Sequence, residues 1–538
     1  MNSTQKPWLS AYPEGVPAEI DTHAYSSVVD LMQESFRQYG DRTAFSFLGR
    51  GLSYKELDRL SQVFAAYLQS LGLVFGDRVA IMLPNVLQYP IAVAAVLRAG
   101  FVVVNINPLY TARELEAQLK DSDAKAIVVL ENFGATLQEC LTRTPVKHVV
   151  LCAMGDRLGL LKGMLVNHVV RKVKKMVPAF ELPTAVRFND ALAAGERCTL
   201  TSPEIHGDDL AVLQYTGGTT GVAKGAELLH RNVMANMLQA SAWFQPALKR
   251  IPSHEIPTFI CPLPLYHIFA FTLNIMACMR MGGCSVLIPN PRDLPAVFKE
   301  ISKHRFHVFP AVNTLFNALA NHPDFNKVDW SHLVVSVGGG MAVQGPVAKL
   351  WLEKTGCPIC EGYGLSETSP SASCNPTTST EFTGTIGVPL PSTYLRLLDD
   401  DGQDVPVGQP GEIAVKGPQV MAGYWQLGSD PRFILLALAS GIPFNGMFLY
   451  VLSAPVFLGE HLGLAPSQLV WIRSSRSADA LWAAEKVRLD ALAAAAKGCT
   501  RHESPAAGAP AAAKVRPSKV AGSVAEVIAV PSDSRVKV

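Results

Sequence analysis

The chain has almost no net charge: 47 lysines and arginines stand against 45 aspartates and glutamates, a formal +2 with the histidines neutral. Without a basic excess it lacks the electrostatic footprint that nucleic-acid binding requires. Metal-ligand spacing is missing as well. Ten cysteines are scattered over 538 residues, and the close pair Cys357 and Cys360 has no second CxxC and no histidines at matching spacing. That speaks against a zinc site or a redox pair and leaves reduced structural thiols. Met1-Asn2-Ser3-Thr4-Gln5-Lys6 shows no charged region followed by an apolar one, so no signal peptide is expected.

Two common nucleotide fingerprints are also absent. A Walker loop needs Gly-Lys-Ser/Thr, whereas Lys224 stands between Ala223 and Gly225. A dinucleotide fingerprint fails at Gly338-Gly339-Gly340, where Val343 occupies the place of the third spaced glycine. What is present is Tyr215-Thr216-Gly217-Gly218-Thr219-Thr220-Gly221-Val222-Ala223-Lys224-Gly225, a run of glycines and threonines with a lysine between two apolar segments. Glycines let backbone amides turn inward, hydroxyls add donors and the lysine adds a mobile positive charge, which together suit a polyphosphate. A flexible linker is the plainer alternative.

A second cluster, Glu361-Gly362-Tyr363-Gly364-Leu365-Ser366-Glu367-Thr368, combines an aromatic ring, flexible backbone and two carboxylates. Tyr363 suits stacking on a purine, and Glu367 suits a magnesium ion, which prefers oxygen ligands and bridges phosphates. One carboxylate plus the Thr216 hydroxyl would be a sufficient protein share. Alone, the octapeptide also reads as an ordinary turn. A third block, Pro262-Leu263-Pro264-Leu265-Tyr266-His267-Ile268-Phe269, sets one histidine in an apolar run, where a satisfied core histidine is the commoner case.

With these blocks in this order the sequence resembles the adenylate-forming, AMP-binding superfamily, and within it the bacterial long-chain fatty-acid–CoA ligases. The resemblance runs from about Trp8 to Trp425 and takes in Asn105-Ile106-Asn107-Pro108-Leu109-Tyr110, Leu229-His230-Arg231-Asn232, Val312-Asn313-Thr314-Leu315-Phe316-Asn317, Gly338-Gly339-Gly340-Met341, Gly411-Glu412-Ile413 and Gly417 to Trp425. It implies an α/β acyl-CoA synthetase-type N-terminal domain of two layered α/β subdomains plus a small β subdomain. It further implies ATP-dependent activation of a fatty acid to acyl-AMP, then thioester formation with coenzyme A. In that scheme Tyr215 to Gly221 and Lys224 hold the phosphates, with Gly339, Gly340, Gly362, Tyr363, Gly364 and Thr368 around the nucleotide. Lys224, Glu367 and Thr216 serve catalysis, Thr216 and Glu367 hold Mg2+, and His267 and Phe269 line the acyl pocket. Neither chain-length preference nor oligomeric state follows from these motifs, since both depend on packing.

Secondary-structure patterns agree. Arg78 to Leu83, Phe101 to Asn105, Ala126 to Val129 and His148 to Cys152 are short apolar runs separated by helical stretches such as Tyr89 to Arg98. Phe259 to Cys261, Ser285 to Ile288, His307 to Pro310 and His332 to Val337 repeat the alternation, which implies parallel sheets. Thr385 to Lys416 reads as short strands with Gly/Pro turns. Arg171-Lys172-Val173-Lys174-Lys175, after Leu160 to Val170, is either a basic amphipathic surface touching anionic lipid or a solvated helix face.

After Gln426 the sequence departs from the family pattern. The expected Gly-Trp-Phe/Leu-x-Thr-Gly-Asp block, the hinge arginine and the lid domain with its lysine do not appear. Phe433 to Gly459 instead carries no Asp, Glu, Lys, Arg or His, which is long enough to span a bilayer. Residues 433–471 resemble one transmembrane segment of a major facilitator drug-efflux transporter. Residues 472–538 are alanine-rich with Trp482 the only aromatic, and Arg501 to Val538 is expected to be disordered. The expectation is therefore a large domain at 1–426 whose lid is missing, an apolar segment at 427–471 and a low-complexity tail. The first part is expected in the cytoplasm and the apolar segment at a membrane. The ligase reading is one of impaired activity, set against a non-catalytic ATP- or fatty-acid-binding module and a membrane-tethered fusion.

Overall fold

A computed structural model describes residues 6–216, 223–399 and 401–426, together with the backbone of two short strands, Ile528–Val530 and Arg535–Lys537. Residues 433–471 lie outside the described residues, as does most of the tail. Among the described residues no helix is long and apolar enough to cross a membrane.

An eight-stranded sheet runs in the order Gly423–Tyr424, Lys224–Leu229, Leu210–Thr216, Val102–Asn105, Arg78–Met82, Ala126–Leu130, His148–Cys152, Val186–Arg187. It is parallel from Leu210–Thr216 to Val186–Arg187 and antiparallel at the other edge. A parallel strand is covered on both faces, which is why Ala126–Leu130 is apolar at every position and buried throughout. The crossover helix Gln88–Arg98 is buried all round, its Arg98 held by Asp58 at 2.8 Å. Thr111 and Glu114 form a reciprocal capping box on the next crossover, Ala112–Asp121.

The second sheet has nine strands, ordered Val388–Pro389, Ser371–Cys374, Ile359–Gly364, Val335–Gly338, Val308–Ala311, Thr258–Cys261, Cys284–Leu287, Thr43–Phe47, Arg50–Ser53. Its middle is parallel, and antiparallel strands close both edges. One face packs on an aromatic core in which Trp351 meets Phe309, Phe316 and Trp330. The two layered sheets and their buried crossovers match the expected α/β architecture, with strand ends shifted by a residue or two.

A third, antiparallel sheet joins Tyr394–Leu398 to Glu412–Lys416. It also takes in Arg535–Lys537, which pairs with Glu412–Lys416, Val536 opposite Val415, and Ile528–Val530, which pairs with Arg535–Lys537; the rest of Arg501 to Val538 lies outside the described residues. An open strand edge is a template for such pairing.

The helix His230–Leu248 carries Asn232, Asn236 and Gln239, spaced to fall on one face, and all three are buried. Asn232 Nδ2 donates to the carbonyls of Pro418 and Val420 at 2.9 and 2.8 Å. Asn236 treats Ser371 as a strand neighbour would, donating to its carbonyl at 2.8 Å and accepting from its N–H at 3.2 Å. Gln239 Nε2 donates to the Pro391 carbonyl at 2.7 Å. His230, also buried, has Nδ1 without a partner among the described residues, and desolvation lowers its pKa to about 4.

Asn236→Ala removes its two hydrogen bonds to the half-buried Ser371 backbone, whose carbonyl keeps the Gln419 amide at 3.2 Å. We expect it to lower unfolding free energy by about 1–3 kcal/mol, read as a shifted urea midpoint at unchanged slope. For His230 the folded value lies below the unfolded one near 6.5, so the folded state holds fewer protons between them. Stability is complete above pH 6.5 and falls as pH drops towards about 4. Urea titrations at pH 7 and pH 4.5 should differ less in His230→Gln than in the parent; identical pH dependence in the two would contradict it.

Candidate active site

The site forms where the antiparallel edge of the eight-stranded sheet meets the carboxyl ends of the nine-stranded one. Ligands gather at such strand ends because the loops there are free to diverge. Thr216 and Lys224 are the last cross-strand pair of the hairpin Leu210–Thr216/Lys224–Leu229. The tip between them, with Gly217, Gly218, Thr219, Thr220 and Gly221, lies outside the described residues. Both strands pack against the turn Ser366–Thr368 that carries Glu367. The sequence blocks containing Thr216, Lys224 and Glu367, far apart in the chain, are thus brought together.

Tyr424 is the residue that sequence reasoning quoted but gave no role. It lies on the edge strand Gly423–Tyr424, opposite Ala226. Its hydroxyl donates to Glu367 Oε1 at 2.7 Å, and the Lys224 ammonium stands 5.4 Å from the centre of its ring. Burial, and then the Glu367 carboxylate, push the Tyr424 pKa well above its ordinary value, so the hydroxyl stays a donor. Three backbone bonds fix this arrangement: Met421 N–H to the Glu367 carbonyl at 2.8 Å, Ala422 N–H to Glu227 at 3.0 Å and Trp425 N–H to Gly225 at 2.7 Å. An aromatic carried on a glycine-preceded edge strand next to the lysine was the available signal.

The strand Ile359–Gly364 delivers the second cluster. Gly362 pairs with Cys374 and Gly364 with Ser371, with a register shift between Tyr363 and Gly364 that re-aims the backbone. A Cβ on Gly364 would fall 1.8 Å from the Pro370 carbonyl oxygen, so only glycine fits. Tyr363 packs beside Ala372, Val415 and Val420, and its buried hydroxyl has no partner among the described residues. The Glu361 carboxylate accepts from Val343 N–H at 2.8 Å, and burial raises its pKa.

Two residues expected at the nucleotide, Tyr215 and Thr368, have side chains held by hydrogen bonds within the protein. The Tyr215 hydroxyl donates to Asp121 and its ring is buried against Gly225. Thr368 is fully buried, and its hydroxyl closes the turn with the Leu365 N–H at 2.9 Å and the Pro370 carbonyl. Both act as struts for the site, because a buried hydroxyl takes the nearest fixed backbone or carboxylate partner.

His267 and Phe269 sit at the head of a helical turn. A polar clasp holds their block to the other sheet: Asn85 Nδ2 donates to Leu263 at 2.8 Å, and Tyr89 Oη donates to Leu265 at 2.9 Å. Asn105 Nδ2 donates to Gln214 Oε1 at 3.0 Å, and Gln214 Nε2 to the Tyr266 carbonyl at 3.2 Å. His267 Nδ1 accepts from Phe269 N–H at 3.3 Å, and although the ring reaches solvent, desolvation by the surrounding protein lowers its pKa. The Phe269 ring lies 2.9 Å from where a Cβ on Gly339 would stand, so a side chain there would displace it. Gly340, next in line, takes φ +75°. The glycine triplet and the histidine block therefore pack against each other at Gly339 and Phe269.

As a magnesium site the residues fit in kind. Glu367 offers a buried carboxylate and Thr216 a hydroxyl, and Mg2+ takes one or two protein oxygens while keeping water and phosphate ligands. No cluster of three or more His, Cys, Asp or Glu with metal-binding geometry occurs among the described residues. Cys357 and Cys360 are buried, and desolvation pushes both thiols up, away from reactivity.

Comparison with known proteins gives the same picture from another direction. The family model described as AMP-binding enzyme matches residues 32–425. A long-chain-fatty-acid–CoA ligase of Escherichia coli O6:H1 is 51% identical over 423 residues, 78% of this chain and 75% of the relative. One from Bacillus subtilis is 33% identical over 445 residues, 82% of this chain and 78% of the relative. The crystal structure of a long-chain-fatty-acid–CoA ligase from Archaeoglobus fulgidus superposes with a TM-score of 0.64 at 23% identity, covering 78% of this chain and 80% of that one. An anthranilate–CoA ligase in complex with anthranoyl-AMP gives 0.65 at 22%, over 76% and 73%. These two support the fold alone. The chain belongs to the AMP-binding enzyme family.

Proposed function

We propose that this protein is a long-chain fatty-acid–CoA ligase of the AMP-forming kind, with turnover impaired relative to its relatives. The observation that carries the reading is the identity of about half the residues over 423 positions with a long-chain-fatty-acid–CoA ligase, and the convergence of Lys224, Thr216, Glu367 and Tyr424 supports it.

In the first half-reaction a fatty-acid carboxylate oxygen attacks the α-phosphorus of ATP, and the bond to pyrophosphate breaks. Two anions must approach, so charge neutralisation dominates the barrier. Lys224 supplies positive charge at the mouth of the Thr216–Lys224 hairpin. Tyr424 holds Glu367 through one oxygen and lies under the lysine, which fixes both charges before substrate enters. Mg2+, when bound by Glu367 and Thr216, would offset phosphate charge. Phe269 and Gly339 shape the apolar wall for the acyl chain, and His267, kept neutral by desolvation, faces it without adding charge. In the second half-reaction the sulfur of coenzyme A attacks the acyl carbon, the carbon–oxygen bond breaks and AMP leaves.

Impairment is proposed because the Asp block, hinge arginine and lid lysine of the resembled family do not follow Gln426. Loss of one preorganised donor costs about 10² to 10³ in rate, and several are missing. A binding module without turnover is the second reading, favoured by the same absence.

The full chain should catalyse ATP–pyrophosphate exchange that depends on fatty acid. Palmitoyl-CoA formation should run at least about 10³ below the Escherichia coli relative assayed beside it. Lys224→Ala and Glu367→Ala should each lower the exchange by a further ~10² to 10³. Calorimetric Mg-ATP binding with no exchange would favour the binding module, whereas palmitoyl-CoA formation within about tenfold of the relative (a difference near 1.4 kcal/mol) would remove the case for impairment.

A further inference from the structure

Glu367 is a buried carboxylate with no cation of the protein paired to it. It is 5% exposed, and the hydrogen-bond partner of its side chain among the described residues is the Tyr424 hydroxyl, which donates to Oε1 at 2.7 Å. Lys224, on the neighbouring strand, stands over the Tyr424 ring, 5.4 Å from its centre, and makes no ion pair with Glu367. Buried charges are stable when they are paired or coordinate a metal, so a carboxylate left this way is held for a cation that arrives with a ligand.

Both roots of the Tyr424–Glu367 contact are pinned. On the carboxylate side, Thr272 Oγ1 donates to the Ser369 carbonyl at 2.8 Å and Met421 N–H to the Glu367 carbonyl at 2.8 Å, which holds the turn Ser366–Thr368 from two directions. On the phenol side, Tyr424 pairs with Ala226 across the sheet edge. The next residue, Trp425, donates through Nε1 to the Asp121 carbonyl at 2.9 Å, and the Arg78 guanidinium lies 5.6 Å from its ring. A contact fixed at both ends keeps Oε1 occupied and leaves Oε2 as the carboxylate oxygen open to a ligand.

The number of open oxygens matters to the cation. Calcium has long bonds and a loose shell, and it takes a carboxylate through both oxygens readily. Magnesium demands a near-ideal octahedron, and the two oxygens of one carboxylate stand too close together to fill two of its corners.

We propose that the Tyr424 hydroxyl sets the metal selectivity of the site: by occupying Glu367 Oε1 it confines the carboxylate to one metal bond, which favours magnesium over calcium beside the nucleotide phosphates. Tyr424 is thus a positioning residue that acts through Glu367. The inference rests on the reading of Glu367 as a metal ligand in an ATP site.

The test is calorimetric titration of the full chain with ATP at saturating Mg2+ and, separately, at saturating Ca2+, which reads metal preference without turnover. The parent should bind Mg-ATP at least about tenfold more tightly than Ca-ATP. Tyr424→Phe keeps the ring under Lys224 and removes only the hydroxyl. It should weaken Mg-ATP by ~10- to 100-fold, the usual effect of losing a partner of a metal ligand, while Ca-ATP binds as before or more tightly. In a Glu367→Gln background the same change should no longer shift the preference, because the carboxylate it restrains is gone. Circular dichroism checks that each variant folds. If Tyr424→Phe fails that check, the parent decides, since equal affinity for the two nucleotides contradicts a carboxylate confined to one bond. Equal loss of both nucleotides in Tyr424→Phe would mark a merely structural role and overturn the proposal. A parent that binds neither nucleotide removes the ATP site itself and this inference with it, whereas a parent that binds Mg-ATP and a Tyr424→Phe variant with the same preference remove this inference alone.

Discussion

Most of the site hangs on one row of buried amides. Asn232, Asn236 and Gln239 leave a single face of the helix His230–Leu248 and bind the backbone of Pro418, Val420, Ser371 and Pro391. Buried amides are costly unless paired, and pairing them with main chain makes the partner segments part of the helix's own framework. That helix begins where the Lys224 strand ends. Through it the lysine, the Glu367 turn and the Gly423–Tyr424 edge are referred to one rigid axis.

The other constraint is the join between the sheets. Parallel strands bury both faces, so each sheet is apolar through its middle and contributes polar chemistry only at strand ends. Asn85, Tyr89 and Gln214 reach from one sheet to the carbonyls of Leu263, Leu265 and Tyr266 beyond a strand of the other, and Asn105 holds Gln214 in place. This places the block of His267 and Phe269 against Gly339, near the strand that ends at Thr216.

Local anchors also separate site from surface. The Leu160–His168 helix is closed on its inner side by a glycine-to-glycine approach and an Arg171–Glu131 fork, which leaves its apolar outer face exposed without loosening the domain. The edge pairing of Arg535–Lys537 with Glu412–Lys416 similarly covers a strand that would otherwise end the third sheet.

The periodicity of apolar residues was enough to read the parallel strands and the Gln88–Arg98 crossover, because burial on both faces writes an unbroken hydrophobic run into the chain. Glycine, threonine, lysine and glutamate clusters marked the hairpin and the Glu367 turn for the same local reason: backbone approach and charge need those residue types. Tyr424, Asn236 and Gln239 were present in quoted or adjacent sequence but carried no readable role, since an amide or a phenol announces nothing until its partner is known. The hydroxyl partners of Tyr215 and Thr368, Asp121 and the Pro370 carbonyl, could not be read from the sequence, because they are set by the packing around them. Sequence by itself determined the element types, their α/β order and the chemical kinds of residue in the site. The pairing of Tyr424 with Glu367, the amide row on one helix face and the outward direction of Leu161 and Lys172 were decided only by tertiary structure, because each depends on which distant segment occupies the adjoining space.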